Sequence, residues 1–247
     1  MHLSVQCWTL RDELNENAAF TFEALKEMGL SYVELAGTAQ HTPEEFAQII
    51  ENAGLKVSGM HVGLDRLEND LSGLVQEAKL FGTDNIILPW VSEDAYRNGW
   101  ANFGKNLEII AGALVESGIT FSYHNHVFEF DPAEDSCGFD ILFGTTSPAL
   151  IHAQIDLWWA HCGGRNLPEL IHQFAGRMPT VHLKDGTECA NDVHQPIGKG
   201  TIDWIPVLQA CIDAGIKFGV IELDRSPGSA LEAVAQSYAQ LKEWGLS

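Results

Sequence analysis

Imidazole and carboxyl side chains stand at the ends of four short apolar runs in the second half of the chain. They are His124, Asp156, His182 and Glu222. Two carboxylates and two imidazoles in one place match the mixed oxygen and nitrogen ligands of a divalent metal, whereas without a cation the carboxylates would repel each other. No cysteine joins this set, which disfavours a structural zinc site and leaves Mn²⁺, Mg²⁺, Co²⁺ or a catalytic Zn²⁺, of which we expect Mn²⁺. For any single residue a hydrogen-bonded interior position is an equal alternative, but the four together favour a metal.

Polar and aromatic residues at the other run ends are suited to binding a small polar ligand. Tryptophan faces stack on the C–H faces of a sugar ring, although packing between helices and strands is the alternative for each of them. Glu34 could contact the substrate or orient a metal ligand. The few cations nearby form no phosphate-binding motif, so an unphosphorylated polyol fits the acidic chain better. We predict a substrate-binding set of Trp8, Glu34, His61, Trp90, Asn125, Trp159 and Lys184.

The elements that must position these residues are short β-rich runs alternating with amphipathic helical stretches. We predict strands at residues 3–9, 32–36, 57–62, 85–90, 120–126, 152–158, 180–185 and 218–224. Regular alternation of strand and helix predicts a parallel sheet wrapped by helices. Eight such units in 247 residues, with no linker between them, predict a single (β/α)8 TIM barrel over residues 1–247. A dinucleotide-binding fold is disfavoured because no Gly-x-Gly-x-x-Gly follows the first strand.

Side-chain alternation along each strand predicts which residues face the barrel interior. In the seventh strand, Val181 and Leu183 suit the helix-facing side, so His182 and Lys184 turn inward. The same rule applied to the fifth, sixth and eighth strands turns all four metal candidates toward one mouth. Active sites of such barrels lie at the C-terminal ends of the strands, which is where these residues stand.

Composition limits the partners of the protein. Thirty-four Asp and Glu against fourteen Lys and Arg give a formal charge of −20, which repels nucleic acid and anionic membrane surfaces. Five scattered cysteines without a Cys-x-x-Cys pair predict no disulfide framework and a reducing cytoplasm. The first residues lack the basic leader of a signal peptide, and no apolar run approaches the ~20 residues that cross a bilayer. We therefore expect a cytoplasmic protein that binds a small molecule.

Seven stretches of the chain resemble the sugar phosphate isomerase/epimerase family, the xylose isomerase-like TIM barrels. The two most specific are Tyr-His-Asn-His-Val-Phe-Glu-Phe at 123–130 and Ile-Gly-Lys-Gly-Thr-Ile-Asp-Trp at 197–204. The others lie at 33–37, 58–61, 156–159, 181–185 and 221–224. The resemblance implies a divalent metal held by Glu, Asp, His and Glu from strands five to eight, and two glutamates that move a proton beside a carbonyl. It also implies a homodimer or homotetramer, as in many relatives.

Carried over by position, Asp156, His182 and Glu222 match the family ligands, but the fifth-strand glutamate does not. His124 occupies that place, and Glu129 lies five residues later, so either His124 binds the metal or the following loop returns Glu129 to it. We accordingly predict Glu222 with His126 or Glu129 as the catalytic base and acid.

Two further departures from the family bear on the reaction. Trp159 stands where ketose epimerases tend to carry a histidine, and Glu188 stands where a substrate-binding arginine is common. Both point toward relatives that dehydrate or hydrate keto-sugars or keto-cyclitols, such as inosose dehydratase.

These observations predict a metal-dependent sugar isomerase or epimerase that abstracts a proton next to a carbonyl and proceeds through an enediolate. A dehydratase, lyase or hydratase acting through the same intermediate is the first alternative. An endonuclease-IV-like phosphodiesterase would need three zinc ions and a basic face, which the negative charge disfavours. The non-enzymatic alternative is a sugar-binding barrel that has lost a ligand.

Overall fold

Eight parallel strands close into a barrel in the computed structural model, which describes residues 1–191 and 193–246. They are β1 His2–Gln6, β2 Tyr32–Leu35, β3 Lys56–His61, β4 Asn85–Leu88, β5 Thr120–His124, β6 Ile151–Asp156, β7 Thr180–Leu183 and β8 Phe218–Ile221. Neighbours in the barrel follow chain order, and β8 pairs with β1 to close it, Val5 lying opposite Ile221. The predicted (β/α)8 barrel is confirmed.

Helices connect the strands and cover the barrel. They are α1 Arg11–Met28, α2 Pro43–Asn52, α3 Leu64–Asn69, α4 Leu71–Phe81, α5 Glu93–Tyr96, α6 Trp100–Glu116, α7 Gly138–Thr145, α8 Leu157–Cys162, α9 Leu167–Gln173, α10 Trp204–Asp213 and α11 Ala230–Glu243. Short 3₁₀ turns occupy Cys7–Leu10 and Phe128–Phe130. Among the helices of these described residues, none is long and apolar enough to cross a membrane.

Alternation along the strands separates an apolar outer layer from a polar interior. Val181 and Leu183 of β7 are fully buried beneath the helices, as the alternation predicts. Inside the barrel, polar side chains pair with one another, for example Ser4 Oγ with Ser58 Oγ at 2.8 Å. Buried polar groups are costly unless hydrogen-bonded, so this pairing lets the interior carry polar residues up to the mouth.

The predicted strands extend past the observed ones by one to three residues at their C-terminal ends. Residues 7–9 belong to a 3₁₀ turn, and residues 157–158 begin α8. Apolar runs do not distinguish a strand from the first turn of a helix, which explains the error. Between β3 and β4 the chain forms two helices, because Asp70 ends α3 and caps α4 by accepting a hydrogen bond from the Gly73 amide at 3.2 Å.

One pair of cysteines contradicts the prediction that the chain forms no disulfide. Cys162 and Cys189 are bonded, with their Cα atoms 5.4 Å apart and a sequence separation of 27. The spacing of the cysteines along the sequence does not reveal this pair, because the neighbouring strands β6 and β7 bring the segments that follow them together. The remaining cysteines, Cys7, Cys137 and Cys211, are free and buried. The cytoplasmic location inferred from cysteine spacing therefore stays a prediction.

Candidate metal centre

Four buried side chains from neighbouring strands meet at the barrel mouth. His124 ends β5, Asp156 ends β6, His182 lies in β7 and Glu222 follows β8, and each offers a ligand atom within 4.8 Å of the others. Asp156 Oδ2 is buried without a hydrogen bond. It is in ion-pair contact with Lys184 Nζ at 2.9 Å, without the angular geometry of a hydrogen bond. Two imidazoles and two carboxylates, with one carboxylate oxygen that is ion-paired but accepts no hydrogen bond, fit a divalent metal.

Glu34 lies beneath this group and holds its imidazoles. Its Oε1 is 2.7 Å from His182 Nε2 and 3.0 Å from His61 Nε2, and it also accepts a hydrogen bond from Gln6. Burial alone would raise the pKa of Glu34, but His182 and His61 outweigh it and lower the value to about 2. The carboxylate therefore stays ionised and orients histidines, which is the second of the two roles considered for it.

His182 bridges Glu34 to Glu222 and is a cation in the metal-free protein. Its Nδ1 is 2.8 Å from Glu222 Oε2, so both ring nitrogens donate to carboxylates. Burial would lower its pKa, but Glu222 and Glu34 raise it to about 10. A metal ion that used His182 as a ligand would have to displace one of these protons.

Gln154 is a connecting residue that the sequence prediction did not include in the site. Its Oε1 lies 3.1 Å from His124 Nδ1 and 2.9 Å from His61 Nε2, while its Nε2 donates to Glu34 and Thr180. A carbonyl oxygen only accepts, so His124 Nδ1 carries the proton and Nε2 keeps its lone pair. The alternation of β6 places Gln154 inward beside Asp156, which is the signal that could have found it.

Lys184 is a fully buried cation among three carboxylates. Its Nζ lies 2.9 Å from Asp156 Oδ2, 2.8 Å from Glu222 Oε2 and 2.9 Å from Asp224 Oδ2. Burial would lower its pKa, but these carboxylates raise it well above the ordinary value. Burial would raise the pKa of Glu222, but Lys184 and His182 hold it well below its ordinary value. Asp224 was not predicted as a site residue, although it ends the predicted eighth strand.

Glu129 is not brought to the four ligand candidates. It sits in the Phe128–Phe130 turn, where Oε1 accepts from the Tyr123 hydroxyl at 2.8 Å and Oε2 accepts from the His126 amide at 2.8 Å. Its side chain is fully buried, and burial raises its pKa to about 7. Of the two alternatives for the fifth strand, the geometry favours His124 as the ligand.

His126 and Trp159 lie side by side at the edge of the group. The His126 ring centroid is 5.0 Å from that of His124 and 6.1 Å from that of Trp159. Burial lowers the pKa of His126 to about 4, so its imidazole is neutral near pH 7, and its Nδ1 makes no hydrogen bond. The Trp159 ring lies over Lys184, whose Nζ is 5.5 Å from the ring centroid.

The other predicted substrate contacts divide into exposed and buried positions. Trp8 and Trp90, which follow β1 and β4, are 48% and 55% exposed and could stack on a ligand. Asn125 is buried, and its Oδ1 accepts from the Asp156 amide at 3.1 Å, so it positions the end of β6. His61 stacks on His182 with ring centroids 5.5 Å apart.

Asp185 organises the glycine-containing stretch that follows β7. Its buried carboxylate accepts hydrogen bonds from the amides of residues 186, 198, 200 and 202 and from Trp204 Nε1 at 2.8 Å. A side chain at Gly200 would collide with this carboxylate. The stretch 197–204 therefore wraps around Asp185 and fixes the loop after β7.

Comparison with known proteins shows which sequences and folds this chain resembles. The inosose dehydratase of Geobacillus kaustophilus (strain HTA426) is 27% identical over 161 residues, which are 58% of this chain and 50% of that protein. The chain thus spans about half the length of this curated relative. A solved sugar phosphate isomerase/epimerase from Parabacteroides distasonis ATCC 8503 has a TM-score of 0.85 at 19% identity, with 98% of both chains covered.

A metal-containing structure shares the same fold. The IOLI protein with a bound zinc atom has a TM-score of 0.73 at 16% identity, with 98% of this chain and 97% of that chain covered. Identities this low show a common barrel and leave the reaction open. The family model described as xylose isomerase-like TIM barrel matches residues 22–244, which confirms the resemblance found in the sequence. The chain belongs to the xylose isomerase-like TIM barrel family.

Proposed function

We propose that the protein is a divalent-metal-dependent enzyme that removes a proton next to the carbonyl of a keto-sugar or keto-cyclitol. The observation that carries this proposal is the buried set His124, Asp156, His182 and Glu222, in which Asp156 Oδ2 has no hydrogen bond. These four residues would hold the ion, for which we propose Mn²⁺. When bound, the metal would supply a Lewis acid that polarises the carbonyl oxygen and makes the neighbouring C–H bond more acidic.

Glu222 is the proposed base. It is ionised near neutral pH, because Lys184 and His182 lower its pKa against the effect of burial. It is also slightly exposed at the mouth, at 5%, whereas Asp156 and His182 are fully buried. His126, which is neutral near pH 7, is the proposed second proton carrier. Trp8 and Trp90 would provide exposed faces for the ring of the substrate.

The fate of the carbanion decides the class of reaction. Reprotonation gives isomerisation or epimerisation, whereas loss of a hydroxyl from the next carbon gives dehydration. Dehydration is the second candidate, favoured by the similarity to an inosose dehydratase over 58% of the chain. A panel of keto-sugars and keto-cyclitols, followed by mass spectrometry for loss of water, distinguishes the two outcomes.

Exchange of the α-proton with solvent deuterium tests the role of Glu222 directly. In the Mn²⁺-loaded protein, Glu222→Gln should reduce exchange by at least ~100-fold, in line with the usual contribution of a general base. Glu23→Gln, at an exposed position on α1, is the matched control and should exchange at the wild-type rate. Undiminished exchange in Glu222→Gln that retains its metal would refute the proposed base.

The metal content separates the proposed function from its rivals. One tightly bound ion per chain, measured by elemental analysis after dialysis, supports the proposal. Three zinc ions would support a phosphodiesterase, and a protein that binds no divalent ion would support a sugar-binding barrel.

A further inference from the structure

The disulfide joins two segments that both leave the barrel mouth. Cys162 is the last residue of α8, which begins directly after Asp156. Cys189 lies six residues after the end of β7, in the segment that follows Asp185. The bridge therefore connects the segments that follow two of the candidate metal ligands, Asp156 and His182, on the face where a substrate would enter.

The second of these segments contacts the site through His194. The His194 ring lies 5.5 Å from the Trp159 ring, and its Nδ1 accepts a hydrogen bond from the Asp224 amide at 3.0 Å. Trp159 and Asp224 both contact Lys184, which pairs with the candidate ligands. The position of this segment is thus transmitted to the wall of the mouth.

The ends of the segment are firmly held, but its middle depends on the bridge. At the ends, the Asp185 carboxylate accepts several amides, and the Gln195 amide donates to the Asp185 carbonyl at 2.9 Å. Residues 187–190 are exposed. In the described part of the chain, side-chain hydrogen bonds of residues 187–191 are local, joining Asn191 to Glu188 and to the Val193 amide. The disulfide is the link from this stretch to α8.

We propose that Cys162–Cys189 is a reducible modification site through which a dithiol reductant loosens the mouth of the barrel. A thiolate of the reductant attacks the sulfur of Cys189, an exposed residue, forming a mixed disulfide and releasing Cys162 as a thiolate that takes up a proton. The second thiolate of the reductant then displaces Cys189, so the reductant leaves as a disulfide and both protein cysteines are thiols. Cys7, Cys137 and Cys211 are buried, which confines the reaction to this pair.

Reduction leaves the metal ligands in place, because they lie on or next to barrel strands that the bridge does not join. It frees residues 187–191 from α8, while His194 stays held by its hydrogen bonds to the Arg225 carbonyl and the Asp224 amide. The inference goes beyond the proposed function, since it concerns access to the mouth and holds for any reaction performed there.

Counting thiols and measuring amide exchange test this proposal without a substrate. In denaturant, the protein prepared in air should show three reactive thiols, and five after dithiothreitol. Hydrogen–deuterium exchange of peptides covering residues 187–191 should then be at least ~10-fold faster in the reduced form, while peptides from β5 to β8 are unchanged. The Kd for Mn²⁺ should be the same in both forms.

The double variant Cys162→Ser/Cys189→Ser is the control for side effects of the reductant. It should exchange like the reduced wild-type protein and show no response to dithiothreitol. Five thiols in the air-prepared protein would overturn the proposal, because the bridge would not exist in solution. Equal exchange of residues 187–191 in the oxidised and reduced forms would also overturn it.

Discussion

Replacing Lys184 with Met removes the buried cation that three carboxylates share. Its Nζ is within 2.9 Å of Asp156, Glu222 and Asp224, and the lysine is fully buried. Methionine is of similar length and carries no charge, so it fills most of the space while leaving the carboxylates without their partner. We expect the effect on stability to depend on whether a metal is bound.

The magnitude follows from the burial of these charges. Removing one partner of a buried ion pair costs about 3–5 kcal/mol, so metal-free Lys184→Met should lose that much unfolding free energy. A divalent ion on Asp156 and Glu222 replaces the missing cation, and most of this loss should disappear in the loaded protein. If about 3 kcal/mol is recovered on binding, the Kd for Mn²⁺ tightens roughly 100-fold, since each 1.4 kcal/mol is a factor of ten.

Urea unfolding with EDTA or with Mn²⁺, combined with titration calorimetry of Mn²⁺ binding, measures both quantities. Lys199→Met, at an exposed position, is the matched control and should change neither. An equal loss of stability with and without the ion, or an unchanged Kd for Mn²⁺, would show that Lys184 and the metal do not compensate the same carboxylates.

Three further predictions concern metal binding, pH and the loop after β7. Since the metal-free pKa of His182 is about 10, Mn²⁺ binding at pH 8 should release about one proton, and calorimetry in buffers of different ionisation enthalpy should detect it. Burial raises the pKa of Glu129 from 4.5 to about 7, so the folded chain holds this proton more tightly than the unfolded chain. Stability should therefore fall by up to ~3 kcal/mol as pH rises through this range, and urea unfolding of Glu129→Gln should lack that decline. Asp185→Asn places the NH₂ group of a carboxamide, itself a donor, among five N–H donors and should cost at least ~2 kcal/mol of unfolding free energy. In thermal melts, Mn²⁺ should stabilise this variant no more than it stabilises the wild-type protein.

The barrel and the convergence of the four ligand candidates could be predicted because strand alternation has a fixed period of two. Once eight strands are assigned, the period alone decides that His182 and Lys184 face inward and that Val181 faces the helices. The strand ends were less predictable, because the residues after β1 and β6 are as apolar as a strand but turn into helices.

The partners of each inward residue could not be predicted from one strand at a time. Gln154 connects residues of β2, β3, β5 and β7, and its role depends on distances across the whole barrel. Glu129 is five residues from His124, a spacing that allowed it to return to the mouth, yet the Tyr123 hydroxyl and the His126 amide hold it elsewhere. The disulfide depends in the same way on the adjacency of β6 and β7.

Charge balance at the mouth gives a physical reason for expecting a divalent ion there. Among the described residues of the ion-pair network, two cationic side chains, Lys184 and His182, meet four carboxyl groups, which are Glu34, Asp156, Glu222 and Asp224. Buried carboxylates that outnumber their cations are strongly unfavourable. Asp156 Oδ2 accepts no hydrogen bond and shares the Lys184 ammonium with Glu222 and Asp224, so a further cation would compensate it directly. A divalent ion adds two positive charges, and the proton that His182 gives up removes one, so binding reduces the imbalance by one charge. A monovalent ion that displaced the same proton would leave it unchanged, and the site should therefore discriminate by charge as well as by ligand type.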